Sequence, residues 1–274
     1  MTAPAADYSW VSGSLLDSHL GYGITLVHGI SPDEALDRLQ ADRQGSYTGL
    51  PRLYRRNDDV QERLDYEYGD FQLVGAAPVT GTGGEWTLIV EFNVAVGFDH
   101  PFMTRISMGT RVVAHHLNSV GKGGFHWWRD GRLLTWFEWP HDRRGDTPDA
   151  LNEAIGRTGV GATDYGTAEG YFILAQELTG VHLTPGLMEH ARFAAGIVAL
   201  TDRARAHGWR WTDPDLGPEE RLARDARIRS WARSRGIKVS DDRIHTTTTE
   251  LYEACHADAP PLWFLRSPPD IDAR

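Results

Sequence analysis

Between Phe71 and Trp139 the chain repeats one pattern, short runs of β-branched and aromatic residues separated by glycines. The runs are Phe71 to Ala76, Trp86 to Asn93, Arg111 to Leu117, Phe125 to Arg129 and Leu133 to Trp139. Side chains of this kind favour a pleated, half-buried surface, so each run reads as a strand. Asp130-Gly131 joins the last two runs as a tight hairpin, because both residues tolerate the positive φ such a turn demands. The pattern predicts an antiparallel meander, with Gly23 to Val27 as a further short strand.

Helical signals flank the strands. Ser31-Pro32-Asp33-Glu34 combines a capping residue, a proline suited to the first turn and a glutamate three places on, ahead of Ala35, Leu36 and Leu39. Apolar and small residues recur at helical spacing over Thr147 to Ile155, Ala168 to Leu178 and Pro185 to about His207. Residues 40 to 65 read as irregular, since Gly45, Gly49 and Pro51 interrupt every period. The expected class is α+β, an antiparallel sheet with helices packed on one face, plus a small C-terminal two-helix module. Residues 1–212 form the larger domain, 213–259 the module and 260–274 a mobile tail, with the boundary near Thr212 in the proline-rich stretch Trp209 to Pro218.

The charge distribution sets the two parts against each other. The chain carries a formal charge of −10, which on its own opposes binding to nucleic acid. From Arg221 to His245, however, eight basic residues face three acidic ones, so this stretch stands at +5 and the remainder at −15. Within it Ile228, Trp231 and Ala232 lie at i, i+3 and i+4, one face of a helix that Gly236 ends. A second helix is expected from about Thr247 to Ala257, offering Leu251, Tyr252 and Cys255 to the same seam. Cys255, the single cysteine, excludes an intramolecular disulfide and any thiolate-rich zinc site.

The stretch Ile228-Arg229-Ser230-Trp231-Ala232-Arg233-Ser234-Arg235-Gly236-Ile237-Lys238-Val239-Ser240-Asp241, with Arg243-Ile244 and Leu251-Tyr252-Glu253-Ala254 beyond it, resembles the C-terminal domain of actinobacterial H-NS-like nucleoid proteins, the xenogeneic silencers of AT-rich DNA. The resemblance implies DNA binding through Arg229, Arg233, Arg235, Lys238, Ser240 and Arg243, with Ile228, Trp231, Ala232 and Tyr252 as the structural seam. In that family an arginine-glycine-arginine loop enters the minor groove, where narrow AT-rich DNA favours inserted arginine. Here Ser240 to His245 is one residue shorter, lacks the glycine, keeps Arg243 alone and places Asp242 beside it. The helix arginines need only charge to meet phosphates. Residues 7–158 more loosely resemble an uncharacterised actinobacterial domain of unknown function, through Glu91-Phe92-Asn93, Ser107-Met108-Gly109-Thr110 and Asp130 to Glu138.

His115, His116 and His126, with Glu91 and Glu138 on neighbouring runs, have the residue types of a metal or acid–base site. Adjacent strand residues point to opposite faces, so His115 and His116 cannot share a site. No HExxH, GxSxG or GK[ST] pattern assigns these residues a role. Gly159, Gly161 and Gly166 lack the lysine of a phosphate loop, and Trp127, Trp128, Trp136, Phe137 and Trp139 read as core. The expectation is a non-enzymatic DNA-associated protein without cofactor or metal. Its acidic N-terminal domain has a separate protein or small-molecule partner. The alternative is a protein-interaction or immunity-type module without nucleic acid. No run of about 18 apolar residues marks a membrane span, and the start Met1 to Tyr8 lacks a signal-peptide pattern, so a cytoplasmic protein is expected.

Overall fold

The computed structural model describes residues 5–17, 21–63, 70–93, 95–160, 167–207 and 218–239. Thr212 and its linker, Gly161 and Gly166, Ser240, Arg243, Tyr252, Cys255, the expected second helix of the module and the tail lie outside the described residues.

Among the described residues, eight strands form one antiparallel sheet: β1 (Gly21–His28), β2 (Asp42–Thr48), β3 (Phe71–Gly81), β4 (Gly84–Glu91), β5 (Arg111–Asn118), β6 (Gly123–Arg129), β7 (Arg132–Phe137) and β8 (Arg192–Ala199). The spatial order is β2-β8-β3-β4-β1-β5-β6-β7. The expected meander survives as β5-β6-β7, while β1 sits between β4 and β5, and β8 between β2 and β3. Asp130 and Gly131 take φ of 50° and 74°, the hairpin conformation anticipated for them.

The α+β class stands, but the helices cover both faces of the sheet. Helix α1 (Pro32–Arg38) and helix α3 (His100–Ser107) pack Leu36, Phe102 and Ile106 onto Val27, Ile89 and Val112. On the other face Phe172 of α5 (Ala168–Thr179) meets Tyr22 and His115. The cause is visible in β1, where Gly21 to Val27 are all buried rather than alternately so. A strand apolar on both sides needs a layer on each. Helix α1 starts where expected: the Ser31 hydroxyl accepts from the Glu34 amide at 3.1 Å, and Pro32 occupies the first turn.

Further expectations about individual elements are corrected. Residues 40–65 hold β2 and helix α2 (Leu50–Arg63) rather than irregular chain. Gly45, at φ 82°, belongs to a bulge between Arg43 and Ser46, and Gly49 with Pro51 begins the helix, so these residues punctuate structure instead of dispersing it. Pro185 to His207 is not one helix but α6 (Pro185–His190), β8 and α7 (Asp202–His207). Phe193, Ala195, Ile197 and Val198 are buried on an interior strand, and a short run apolar on both sides satisfies helical and strand periods alike. The remaining helix before α5 is α4 (Asn152–Thr158), displaced towards the C-terminus from the expected Thr147 to Ile155.

The chain divides into two compact units, residues 1–54 with 72–200, and residues 55–71 with 201–274. In the second, α8 (Pro218–Ser234) buries Ile228, Trp231 and Ala232 against Ile237 and Val239. Gly236, at φ 71°, closes the helix: its amide donates to the Arg233 carbonyl at 3.1 Å, and that of Ile237 to the Ala232 carbonyl at 3.0 Å. This paired arrangement ends a helix by reversing the chain, and it returns Ile237 onto the seam.

Candidate functional site

The geometry of α8 sorts the basic residues that the sequence treats alike. Residues 223, 226, 227, 230, 233 and 234 form its exposed face, so among them only Arg227 and Arg233 carry charge, separated by alanine and serine. Just past the helix, Arg235 and Lys238 are exposed. The Arg235 guanidinium lies over the Trp231 ring, 4.7 Å from its centroid, which fixes the cation beside the seam. Arg229 is half-buried and sits 3.8 Å from Asp225 one turn earlier, so its charge is already partly answered. Arg224 is 9% exposed and belongs to the inward face with Ile228 and Trp231. Arg227 is absent from the residues the resemblance singles out, yet it is exposed about one and two-thirds turns before Arg233, so the two stand at opposite edges of the exposed face. The result is a cationic strip that runs across the exposed side, Arg227 and Arg233 on α8 and Arg235 and Lys238 just past it, with Arg235 on the packed aromatic anchor.

The histidines of the larger unit fall on two faces, as the alternation of a strand requires. His115 lies among Tyr22, Phe125 and Phe172, and Tyr22 Oη is 3.3 Å from its Nδ1. His116 and His126 share the opposite face, ring centroids 5.9 Å apart, with Phe98 against both at 5.1 and 5.6 Å. The His116 ring has this space because Gly124 stands opposite it on β6; a methyl there would come within 2.5 Å of its Cε1. Burial strips the three imidazoles of the water that stabilises a positive charge. It lowers His115 to about 3, with the neighbouring His116 adding to the effect, and His116 to about 4. His126 is held well below its ordinary value by burial and then by His116 and His100. All three are neutral at pH 7.

Glu91 shares a face with His116 but is committed elsewhere. Gly23 separates them, paired with Glu91 on β4 and with His116 on β5. The carboxylate leans over this glycine and accepts amide hydrogens from Ala95 and Val96 at Oε2, 3.2 and 2.9 Å, and from Gly97 at Oε1, 2.8 Å. It thereby holds the backbone of residues 95–97 across the sheet. Burial raises Glu91 to about 7 against the opposing pull of these three amides. Glu138 is represented by its backbone, whose carbonyl accepts from Tyr171 Oη at 3.1 Å. Among the described residues no group of three histidine, cysteine, aspartate or glutamate side chains converges to hold a metal ion. Of the aromatic run, Trp128 and Phe137 are buried in the core and Trp127, Trp136 and Trp139 are half-buried. Among the described residues, no helix is long and apolar enough to cross a membrane.

No curated protein and no solved structure matches the chain. A sequence match to the family of unknown function DUF6461 spans residues 1–203, the sheet with its helices through β8 and the first turn of α7. Covering about three quarters of the 274 residues, this match shows that the chain belongs to DUF6461.

Proposed function

We propose that this protein is a non-enzymatic DNA-associated protein of nucleoid or regulatory type, in which the basic C-terminal module contacts phosphates while the acidic remainder serves a separate partner. The observation that carries the reading is the exposed strip of Arg227, Arg233, Arg235 and Lys238 beside the Ile228, Trp231 and Ala232 seam, in a chain whose other residues are strongly acidic. Charge concentrated on one short segment supplies the sequence-independent part of DNA affinity. The resemblance of residues 228–254 to the nucleoid silencers points the same way, with Arg243 in the position that enters the minor groove in that family.

The test is fluorescence anisotropy of the full chain on AT-rich and GC-rich duplexes at one fixed salt concentration. Arg233→Ala with Arg235→Ala is expected to weaken binding to both duplexes alike, because phosphate contacts position without specifying. Arg243→Ala is expected to remove the preference for AT-rich DNA. Absence of binding to either duplex at low salt would refute the proposal and favour a protein partner for the module.

A further inference from the structure

At one end of the sheet, register places three basic side chains in a row across neighbouring strands. Val27 pairs with Val112, so His28 and Arg111, each one residue further, stand opposite one another on β1 and β5. Arg111 in turn pairs directly with Arg129 on β6. Two like charges facing each other on adjacent strands are unfavourable unless something of opposite sign joins them. Neither arginine has a carboxylate partner among the described residues. The nearby Arg132 does, at 2.8 Å from Asp146, so acidic side chains are available at this end of the sheet but leave the central pair unanswered.

Both guanidiniums are held in place by their flat sides. Arg111 lies over Trp86, 5.0 Å from the ring centroid, and its Nη2 donates to the Thr82 carbonyl at 3.0 Å. Its Nε is buried and has no hydrogen-bond partner. Arg129 lies over Trp127 at 5.7 Å. His28 is fixed by the Gly83 carbonyl at 3.1 Å and by an edge contact with Trp86. Stacking leaves the guanidinium edges, where the N–H groups are, for a ligand. These residues line a cleft of about 540 Å³ together with Gly83, Gly109, Thr110 and Asp130. The one carboxylate there, Asp130, accepts from the Gly109 amide at 2.9 Å. A methyl on Gly83 would approach Arg111 Nη2 to 3.0 Å and His28 Nε2 to 3.3 Å, so the glycine keeps the hairpin clear of both basic groups.

We infer that this cleft binds the phosphate group of a small phosphorylated molecule through Arg111 and Arg129. A planar carboxylate presents one pair of oxygens to one guanidinium, whereas a tetrahedral phosphate presents separate oxygens to two guanidiniums carried on adjacent strands. The volume falls in the range of small-molecule sites and exceeds what a bare phosphate fills, leaving space for the rest of the molecule. The inference concerns residues 28–130 and is independent of the DNA proposal for the C-terminal module.

Thermal unfolding of the full chain with inorganic phosphate, glycerol phosphate or acetate, at constant ionic strength, tests it. Both phosphates are expected to raise the midpoint saturably, by about 5 °C at a hundredfold excess over Kd, and acetate to do so far less. Arg129→Glu replaces the like-charge pair with an opposite one. It is expected to raise the midpoint of the ligand-free protein, abolish the phosphate increment and leave duplex DNA affinity unchanged. Arg233→Ala is expected to keep the phosphate increment. The inference is overturned if wild type shows no increment, if acetate matches phosphate, or if the increment persists in Arg129→Glu.

Discussion

Gly23→Ala should destabilise the protein, although alanine in place of a strand glycine ordinarily stabilises by about 0.5–1 kcal/mol through backbone entropy. Gly23 lies in β1 between Glu91 and His116, and its backbone φ is outside the positive region, so strain of the glycine itself plays no part. What matters is the space above it. A methyl at this position would stand 2.5 Å from Glu91 Oε1, 2.6 Å from its Cγ and 2.9 Å from its Cδ. Overpacking of this kind costs about 1–3 kcal/mol. Displacing the carboxylate also strands the amides of Ala95, Val96 and Gly97, two of them buried, at roughly 1–3 kcal/mol for each buried donor left unpaired. Setting the entropic gain against these losses leaves a net cost of about 3 kcal/mol, or a fall of about 5 °C in unfolding midpoint for a chain of this length.

A double-mutant cycle separates this mechanism from a general intolerance of the strand. Glu91→Ala removes the atoms that the new methyl meets and releases the same three amides. Gly23→Ala added to it should therefore show only its small entropic gain, giving a coupling of about 3–4 kcal/mol in urea denaturation. Amide exchange at residues 95–97 should accelerate in both single variants. Neutral or stabilising behaviour of Gly23→Ala, or strict additivity in the cycle, would refute the assignment of Glu91 as the clamp on this segment.

The buried histidines should make the protein acid-sensitive: their unfolded forms take up protons near pH 6.5, whereas folded His115 and His116 do so only near 3 and 4, so stability is lost as pH falls from about 6.5 towards 4. Glu91 opposes this trend, because its raised value of about 7 lets the folded state hold a proton that the unfolded state releases between about 7 and 4.5. With three imidazoles against one carboxyl the loss should dominate, and urea midpoints at pH 7.5, 6 and 5 that do not decline would contradict it. Trp231→Ala should cost roughly 3–5 kcal/mol within the module, exposing Arg227 and Arg233 to rapid tryptic cleavage while the sheet stays folded. Unchanged resistance to trypsin would show that the seam does not hold the helix.

Local chemistry carried the parts of this fold that could be read directly from the sequence. The Ser31 cap, the Asp130-Gly131 turn and the glycine stop at Gly236 each depend on a few adjacent residues, and each appears where its chemistry demands. The separation of His115 from His116 follows from the period of a strand alone. Long-range arrangement was less accessible. Ala195 to Val198 are buried on both sides because β8 inserts between β2 and β3, and no local period distinguishes that from a helix. Glu91 resembles a catalytic carboxylate until the chain returns at residues 95–97 to occupy it. The facing of Arg111 and Arg129 depends on strand register, whereas the partial neutralisation of Arg229 could have been anticipated from Asp225 four residues before it.

The salt dependence of DNA binding tests the central claim most directly. Each phosphate neutralised by a lysine or arginine releases counterions, and log K falls against log salt with a slope near −0.9 per contact. Four exposed cations among the described residues, Arg227, Arg233, Arg235 and Lys238, therefore contribute about −3.6 to the slope of the full chain on duplex DNA, which becomes shallower by about one unit for each of them replaced by alanine. A slope near zero, or one that the four substitutions leave unchanged, would contradict the proposal that this strip holds the protein on DNA.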